Sequence, residues 1–291
     1  MKIKKDELKD HIVKAYSLLK ECRLCPRNCG VNRLKEQKGI CMVGKKPIVS
    51  SYGLHFGEER VLVDFKGSGT VFFGGCPLRC VYCQNYSISQ LLTGKEVSNP
   101  QLAKIFLSIQ RQGALNLNLV TPTHVVPMIL EALYLIYDDF HLPVVYNTGG
   151  YDALDTLLLL DGIIDIYMPD VKYGDNKKAF KYSLCPDYFD VAKIAIKEMH
   201  RQVGDLVVEN GIARKGLLIR HLVLPNGLAD SIKVLNFIKD EVSTSAHVNI
   251  MDQYHPAYKA KEYPELSRNV TLSEFEEVVM YAQEIGLPRV N

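Results

Sequence analysis

The sequence predicts an α/β fold in which parallel strands alternate with helices, preceded by a small cysteine-bearing module. Three observations predict it. Six apolar runs of strand length recur after residue 67, helix-length segments separate them, and four of the eight cysteines crowd between Cys22 and Cys41. Alternating strand and helix implies parallel pairing through helical crossovers. Six strands fit an incomplete barrel better than a closed eight-stranded one, with a doubly wound open sheet as the alternative. At 291 residues, 47% hydrophobic and 23% charged, the chain can bury one large core or two modest ones.

From the N-terminus, residues 4 to 21 set Leu8, Ile12, Ala15, Leu18 and Leu19 on one stripe, so an amphipathic helix leads into the cysteines. From Lys46 to Val63, β-branched and aromatic residues with Gly53 and Gly57 suggest short strands. No long Ser/Gly linker separates them from the strand-and-helix region, which implies contact rather than tethering. The six strands are 70–73, 115–120, 143–146, 165–168, 217–224 and 247–251. Helices are expected over 101–112, 124–138, 152–160, 187–203 and 229–241, and Thr271-Leu-Ser-Glu274 opens a last helix as a capping box. The regions are 1–66 (helix and four-cysteine module), 67–256 (barrel) and 257–291 (C-terminal wrap and helix). Loops at Gln253–Tyr258 and Tyr263–Glu265 either close the barrel mouth or pack as a wrap, the wrap being favoured.

Lys and Arg number 35 against 33 Asp and Glu, a formal charge of +2, so no whole-protein field draws the chain to nucleic acid or acidic membranes. No apolar run approaches the roughly 20 residues of a membrane span. The opening residues lack the apolar block of a signal peptide, so a cytoplasmic protein is expected, with its cysteines held as thiols or metal thiolates.

Those cysteines fall into two sets. Cys22, Cys25, Cys29 and Cys41 form a C-x2-C-x3-C-x11-C run, and Cys76, Cys80 and Cys83 a C-x3-C-x2-C run, with Cys185 alone. Thiolates two or three residues apart can wrap one small metal centre in a turn of loop. Four of them satisfy a tetrahedral zinc or close a second 4Fe-4S cluster completely. Three, with no fourth cysteine nearby, would leave one iron of a 4Fe-4S cluster open to an outside ligand.

The segment Gly67-Ser-Gly-Thr-Val-Phe-Phe-Gly-Gly-Cys-Pro-Leu-Arg-Cys-Val-Tyr-Cys-Gln-Asn85, a strand running into C-x3-C-x-aromatic-C, resembles the radical S-adenosylmethionine enzymes. The resemblance spans about residues 67 to 256. The whole chain looks like the branch related to pyruvate formate-lyase activating enzyme, where a four-cysteine segment precedes the radical motif. It implies a partial (β/α)6 barrel, a 4Fe-4S cluster on Cys76, Cys80 and Cys83, and S-adenosylmethionine as cofactor. It also implies a reductant such as flavodoxin or ferredoxin, and a glycyl radical enzyme as the protein acted upon.

In parallel α/β proteins functional groups gather where strands end. The exits here carry Asn116 and Asn118 with Thr121-Pro-Thr-His124, then Asn147-Thr-Gly-Gly150, Asp170-Val-Lys172, Arg220 with His221, and Asp252-Gln-Tyr-His255. A polar residue inside a buried strand needs a partner or a cavity to face. Each is therefore either a ligand-facing group or a satisfied core or surface group. By resemblance to activating enzymes, Asp170 and Lys172 match an Asp-x-Lys segment touching the cofactor, and Tyr254-His255 a Tyr-His pair at its adenosyl part. Tyr82 and Asn85 match the motif loop, although Gln84 stands where His is usual. The Gly-Gly-Glu common at the end of the second strand is replaced by Leu119-Val-Thr-Pro-Thr-His124. Asn118, Thr121 or backbone carbonyls then take over its contacts, or cofactor binding differs. Radical modification of a small molecule or another protein, and a non-catalytic iron-sulfur or zinc protein, are the alternatives to an activating enzyme.

Overall fold

The computed structural model describes residues 3–288. Its strands are β1 (Ile48–His55), β2 (Ser68–Phe73), β3 (Lys95–Glu96), β4 (Leu117–Val120), β5 (Val144–Thr148), β6 (Ile166–Pro169), β7 (Val207–Glu209), β8 (Ile212–Leu222) and β9 (His247–Met251). They form one sheet, ordered β3-β1-β2-β4-β5-β6-β8-β7 with β9 also on β8. β2, β4, β5, β6, β8 and β9 pair in parallel and follow one another in chain order. A doubly wound sheet would reverse its order at a switch point. The unbroken succession is that of a partial (β/α)6 barrel, with the antiparallel β1 and β3 added on the β2 side.

Two expectations need correction. Residues 46–63 hold one long strand, β1, and then a helical turn, Arg60–Val63, because Leu62 and Val63 bury in the molecule instead of extending a sheet. A helix at Asn176–Ser183, absent from the sequence reading, is capped by Asp175, which accepts from Lys178 N–H at 2.9 Å; its eight residues are too few to show a periodic stripe. The expected capping box is present, with Thr271 and Glu274 bonding reciprocally at the start of helix Leu272–Glu284. The first helix ends at Ser17, yet Leu8, Ala15 and Leu19 are fully buried, and it packs on helix Val126–Leu135.

Strand residues alternate between the two faces. Register places Thr70, Asn118, Val145 and Ile166 in one inward layer, and Phe72, Val120, Asn147 and Met168 in the layer above. Leu62 joins Val145, Ile166, Met168 and Leu218 in a small core of its own, so the helical turn plugs the barrel floor. Asn116 pins that plug: its amide donates to the Leu62 carbonyl at 2.8 Å and its oxygen accepts from Ser68 Oγ at 2.6 Å. The loop before the turn crosses to the far edge, where Asn249 on β9 donates to both carboxylate oxygens of Glu59 at 2.7 and 2.8 Å.

His221 faces out of the barrel. A carbonyl only accepts, so Nδ1–H donates to the Val171 carbonyl at 2.6 Å, and Nε2 accepts from Ser231 Oγ at 2.8 Å. Burial lowers its pKa from the ordinary 6.5 to about 4, so the folded protein holds it neutral. The unfolded chain takes up a proton below 6.5 and the folded chain only below about 4. Its contribution to stability is therefore complete above pH 6.5 and falls away as pH drops toward 4, at up to about 1.4 kcal/mol per pH unit. Urea denaturation across this window should show a shallower decline for His221→Gln than for the parent; identical slopes would refute the assignment.

Candidate active site at the barrel mouth

β2 ends at Phe73, and Gly74-Gly75 turn the chain into the three-cysteine loop. Gly75 has φ +84°, and a Cβ there would lie 2.5 Å from the Cys41 carbonyl and 2.6 Å from Val43. Only glycine lets the loop leave the strand at this angle. Each thiol of the loop has a hydrogen-bonding neighbour. Leu78 N–H donates to Cys76 Sγ at 3.3 Å, Ser183 Oγ donates to Cys80 Sγ at 2.9 Å, and Ser89 Oγ lies 3.1 Å from Cys83 Sγ. Burial pushes the Cys76 and Cys80 thiols up, and neighbouring thiols add to it. A bound cationic centre reverses that balance, and donors aimed at sulfur suit the thiolate form it selects.

The three sulfurs open on a cavity of about 230 Å³. Its wall gathers Tyr82, Asn85, Thr121, Asn147, Asp170, Lys172 and Arg220 with the triad. Two expected contacts are placed elsewhere. Asn118 is completely buried in the layer beneath, because Val120, on the same inward face two residues further along β4, takes the place at the mouth; neither of its amide atoms has a hydrogen-bond partner. His255 is exposed on the rim and meets the wall through Gln84, whose Nε2 is 3.2 Å from its Nδ1. Tyr254 is buried in the C-terminal wrap, its hydroxyl donating to the Leu266 carbonyl at 2.7 Å. That wrap packs on the motif loop through Lys259 N–H to the Val81 carbonyl and a Tyr86–Tyr258 stack.

Opposite the triad stands an ion network. Asp170 accepts from Lys172 Nζ at 2.6 Å and from Arg220 Nε at 2.8 Å, and Arg220 donates onward to Asn147 Oδ1 at 2.8 Å. Burial alone would raise the Asp170 carboxyl, but Arg220 and Lys172 outweigh it and hold the group below its usual range. Arg220 also lies 3.8 Å from Glu58, a cavity-wall carboxylate that the sequence reading missed. Glu58 arrives from the loop before β2, away from any parallel strand's exit, so no positional signal marked it. Ser89 and Ser183 were equally silent, since nothing in their spacing to the cysteines links them to sulfur. Asp152, also unmarked, accepts from Thr123, Thr148 and Tyr146 hydroxyls at 2.7 to 2.9 Å and fixes the turn carrying Gly149 against Leu78.

The second cysteine set packs against the first. Cys22, Cys25 and Cys41 are buried and Cys29 half-buried, and all four are free of disulfides. The N–H of Ile40 donates to Cys29 Sγ at 3.5 Å. Burial, and then the other three cysteines, push the Cys25 thiol up. Among the described residues no three His, Cys, Asp or Glu side chains converge on a single-ion position. Arg27 reaches from between these cysteines to the Pro77 carbonyl at 2.7 Å, the Ser183 carbonyl at 3.0 Å and the Leu184 carbonyl. Cys185 is buried beside it, pushed up to about 12 by burial, and is an inert thiol.

No family model matches the chain. Among curated proteins it is 37% identical over 283 residues to the uncharacterized protein MJ0674 of Methanocaldococcus jannaschii, covering 94% of this chain and 77% of that one. It is 22% identical to MJ0808 of the same organism, over 87% and 78% of the two chains. Among solved structures, a radical SAM methyltransferase from Sphaerobacter thermophilus superposes with a TM-score of 0.50 at 12% identity, over 76% of this chain and 65% of that one. Streptococcus suis SuiB bound to S-adenosylmethionine gives 0.50 and 12%, over 74% and 47%. The chain thus spans less than two thirds of either solved protein, and it shares with both the partial-barrel fold. No helix of the described residues is long and apolar enough to cross a membrane.

Removing the Asp170 carboxylate would leave two cations facing one another with little solvent. Asp170→Asn should lower unfolding free energy by roughly 3–5 kcal/mol, as for other broken buried ion pairs, measured by urea denaturation at neutral pH. A loss below about 1 kcal/mol, the scale of a surface pair, would show that the network is not a buried one.

Proposed function

This chain belongs to the family of the uncharacterized protein MJ0674, and from its fold and cysteine triad we propose that it is a radical S-adenosylmethionine enzyme. One observation carries the reading: three hydrogen-bonded thiols at the end of the first barrel strand face an open cavity across from a buried ion network. Cys76, Cys80 and Cys83 would hold a 4Fe-4S cluster, which would supply the electron for reductive cleavage of S-adenosylmethionine to methionine and a 5'-deoxyadenosyl radical.

The chain's own residues prepare that reaction. Lys172 and Arg220 offer cations to a carboxylate such as the methionyl one, and Asp170 keeps both from swinging away. Glu58 offers the carboxylate for an ammonium group, filling from another segment the role of the glutamate missing after β4. Phe72, Leu78, Val120, Leu222 and Met251 give the wall its apolar part, which helps to keep water and stray hydrogen donors from a reactive carbon.

The target we propose is a glycine of a glycyl radical enzyme, supported by the match of Asn85, Asp170 and Lys172 to activating enzymes, with flavodoxin or ferredoxin as reductant. The altered segment Leu119–His124 favours a second reading, modification of a small molecule or another protein. A glycyl doublet in electron paramagnetic resonance of a co-incubated glycyl radical enzyme separates the two.

Anaerobically reduced protein should release 5'-deoxyadenosine and methionine in equal amounts from S-adenosylmethionine, and Cys80→Ala should release neither; cleavage by that variant would overturn the reading. Glu58→Gln should weaken S-adenosylmethionine binding about 10- to 100-fold, the cost of one charge-assisted hydrogen bond. Calorimetric titration checks this, and unchanged affinity would remove Glu58 from the site.

A further inference from the structure

We propose that the four-cysteine module holds a second 4Fe-4S cluster and is the electron entry port, its basic outer face docking an acidic one-electron carrier protein. The proposal rests on the radical reading above and extends it to the partner and the route. The spacing speaks for iron and sulfide: Cys22, Cys25 and Cys29 form a close triplet with Cys41 remote, the arrangement of ferredoxin-type sites, whereas structural zinc sites are commonly built from two separated pairs. A peptide N–H group donates to Cys29 as Leu78 N–H does to Cys76, so each cysteine set stabilises sulfur by the same device.

The route is short. The Cys41 carbonyl lies so close to Gly75 that a single added Cβ would collide with it, and Gly75 is bonded directly to Cys76. One ligand residue of each set therefore touches the same glycine. Arg27, lying between Cys25 and Cys29, bonds to Pro77 inside the other set's loop and locks the two together.

The outer face differs in charge from the rest of the chain. Between Lys20 and Lys46 eight Lys and Arg stand against two Glu, a formal +6 where the whole chain has +2. Glu36 accepts from the backbone N–H of Lys45, bringing the turn with Lys35 and Lys38 beside Lys45 and Lys46. These four exposed lysines surround a loop that presents Ile40 and Met42, each 43% exposed, on either side of buried Cys41. A small apolar centre ringed by one sign of charge is complementary to an acidic protein and steers its encounter. A reduced carrier docked there gives up one electron and is oxidised by one. The electron passes through the module to the triad site, and no bond or proton changes on the way.

Three measurements on the full chain test this. With Cys76, Cys80 and Cys83 all changed to Ala, the protein should still bind about four iron and four sulfide; zinc, or no metal, overturns the cluster. In the dithionite-reduced parent, electron paramagnetic resonance should show two spin-coupled centres, and the Ala variant one uncoupled centre; uncoupled signals in the parent overturn the route. Finally, an acidic plant-type ferredoxin should reduce the parent, and the variant K35E/K38E/K45E/K46E at least about tenfold more slowly, while dithionite drives S-adenosylmethionine cleavage equally in both. Equal ferredoxin rates, or tighter binding of a duplex DNA oligonucleotide than of ferredoxin, overturn the docking face. Failure of dithionite to drive cleavage in the parent would defeat the radical reading itself, while metal content and spectra still decide the module.

Discussion

The barrel mouth depends on one carboxylate. Lys172 and Arg220 project into the same poorly solvated space, and without a shared anion each would raise the other's cost of burial. Asp170 accepts from both, and because it leaves β6 while Arg220 stands on β8, the bond also holds two neighbouring strands in register where their formal pairing has ended. Arg220 carries the tie on to Asn147 on β5. The polar wall of the cavity is thus a connected unit, set opposite three sulfurs that are themselves fixed by hydrogen bonds. Preorganised polarity of this kind, in a space with little access for solvent, holds charged groups in place without reorganisation when a ligand enters.

Much of this was legible in the sequence. All six barrel strands appear at or near the expected residues, because each is a short apolar run bounded by turn-forming residues, a signal independent of tertiary context. Asp170, Lys172, Asn147 and Arg220 could be found because strand exits converge, so a position in the chain translates into a position in space. The same logic misplaced Asn118. It lies on the inward face as expected, but one layer too low, and the depth of a lumen depends on strand stagger, which no single strand encodes.

What the sequence concealed arrives from outside the repeating unit. Glu58 comes from a loop that crosses the barrel, Ser183 from a helix too short to announce itself, and Arg27 from a module that docks through long-range bonds such as those to Pro77 and Ser183. Long-range pairs of this sort leave no periodic trace. His124 is a related case: it stands at a strand exit, yet its ring is buried against the Gly74 carbonyl at 2.8 Å and kept neutral, bracing the motif loop from behind.

The floor of the barrel has a consequence for how the chain can be divided. Leu62 seals the lumen from a segment that precedes the first parallel strand, and Asn116 holds it there from within. A fragment cut to begin at β2 would keep every barrel strand yet resemble a cup without a base, wetting its lower layers and releasing Asn116 from its carbonyl anchor on Leu62. The leading quarter of the chain is therefore architecture as much as appendage, and the shortest autonomous version of this protein begins well upstream of its motif.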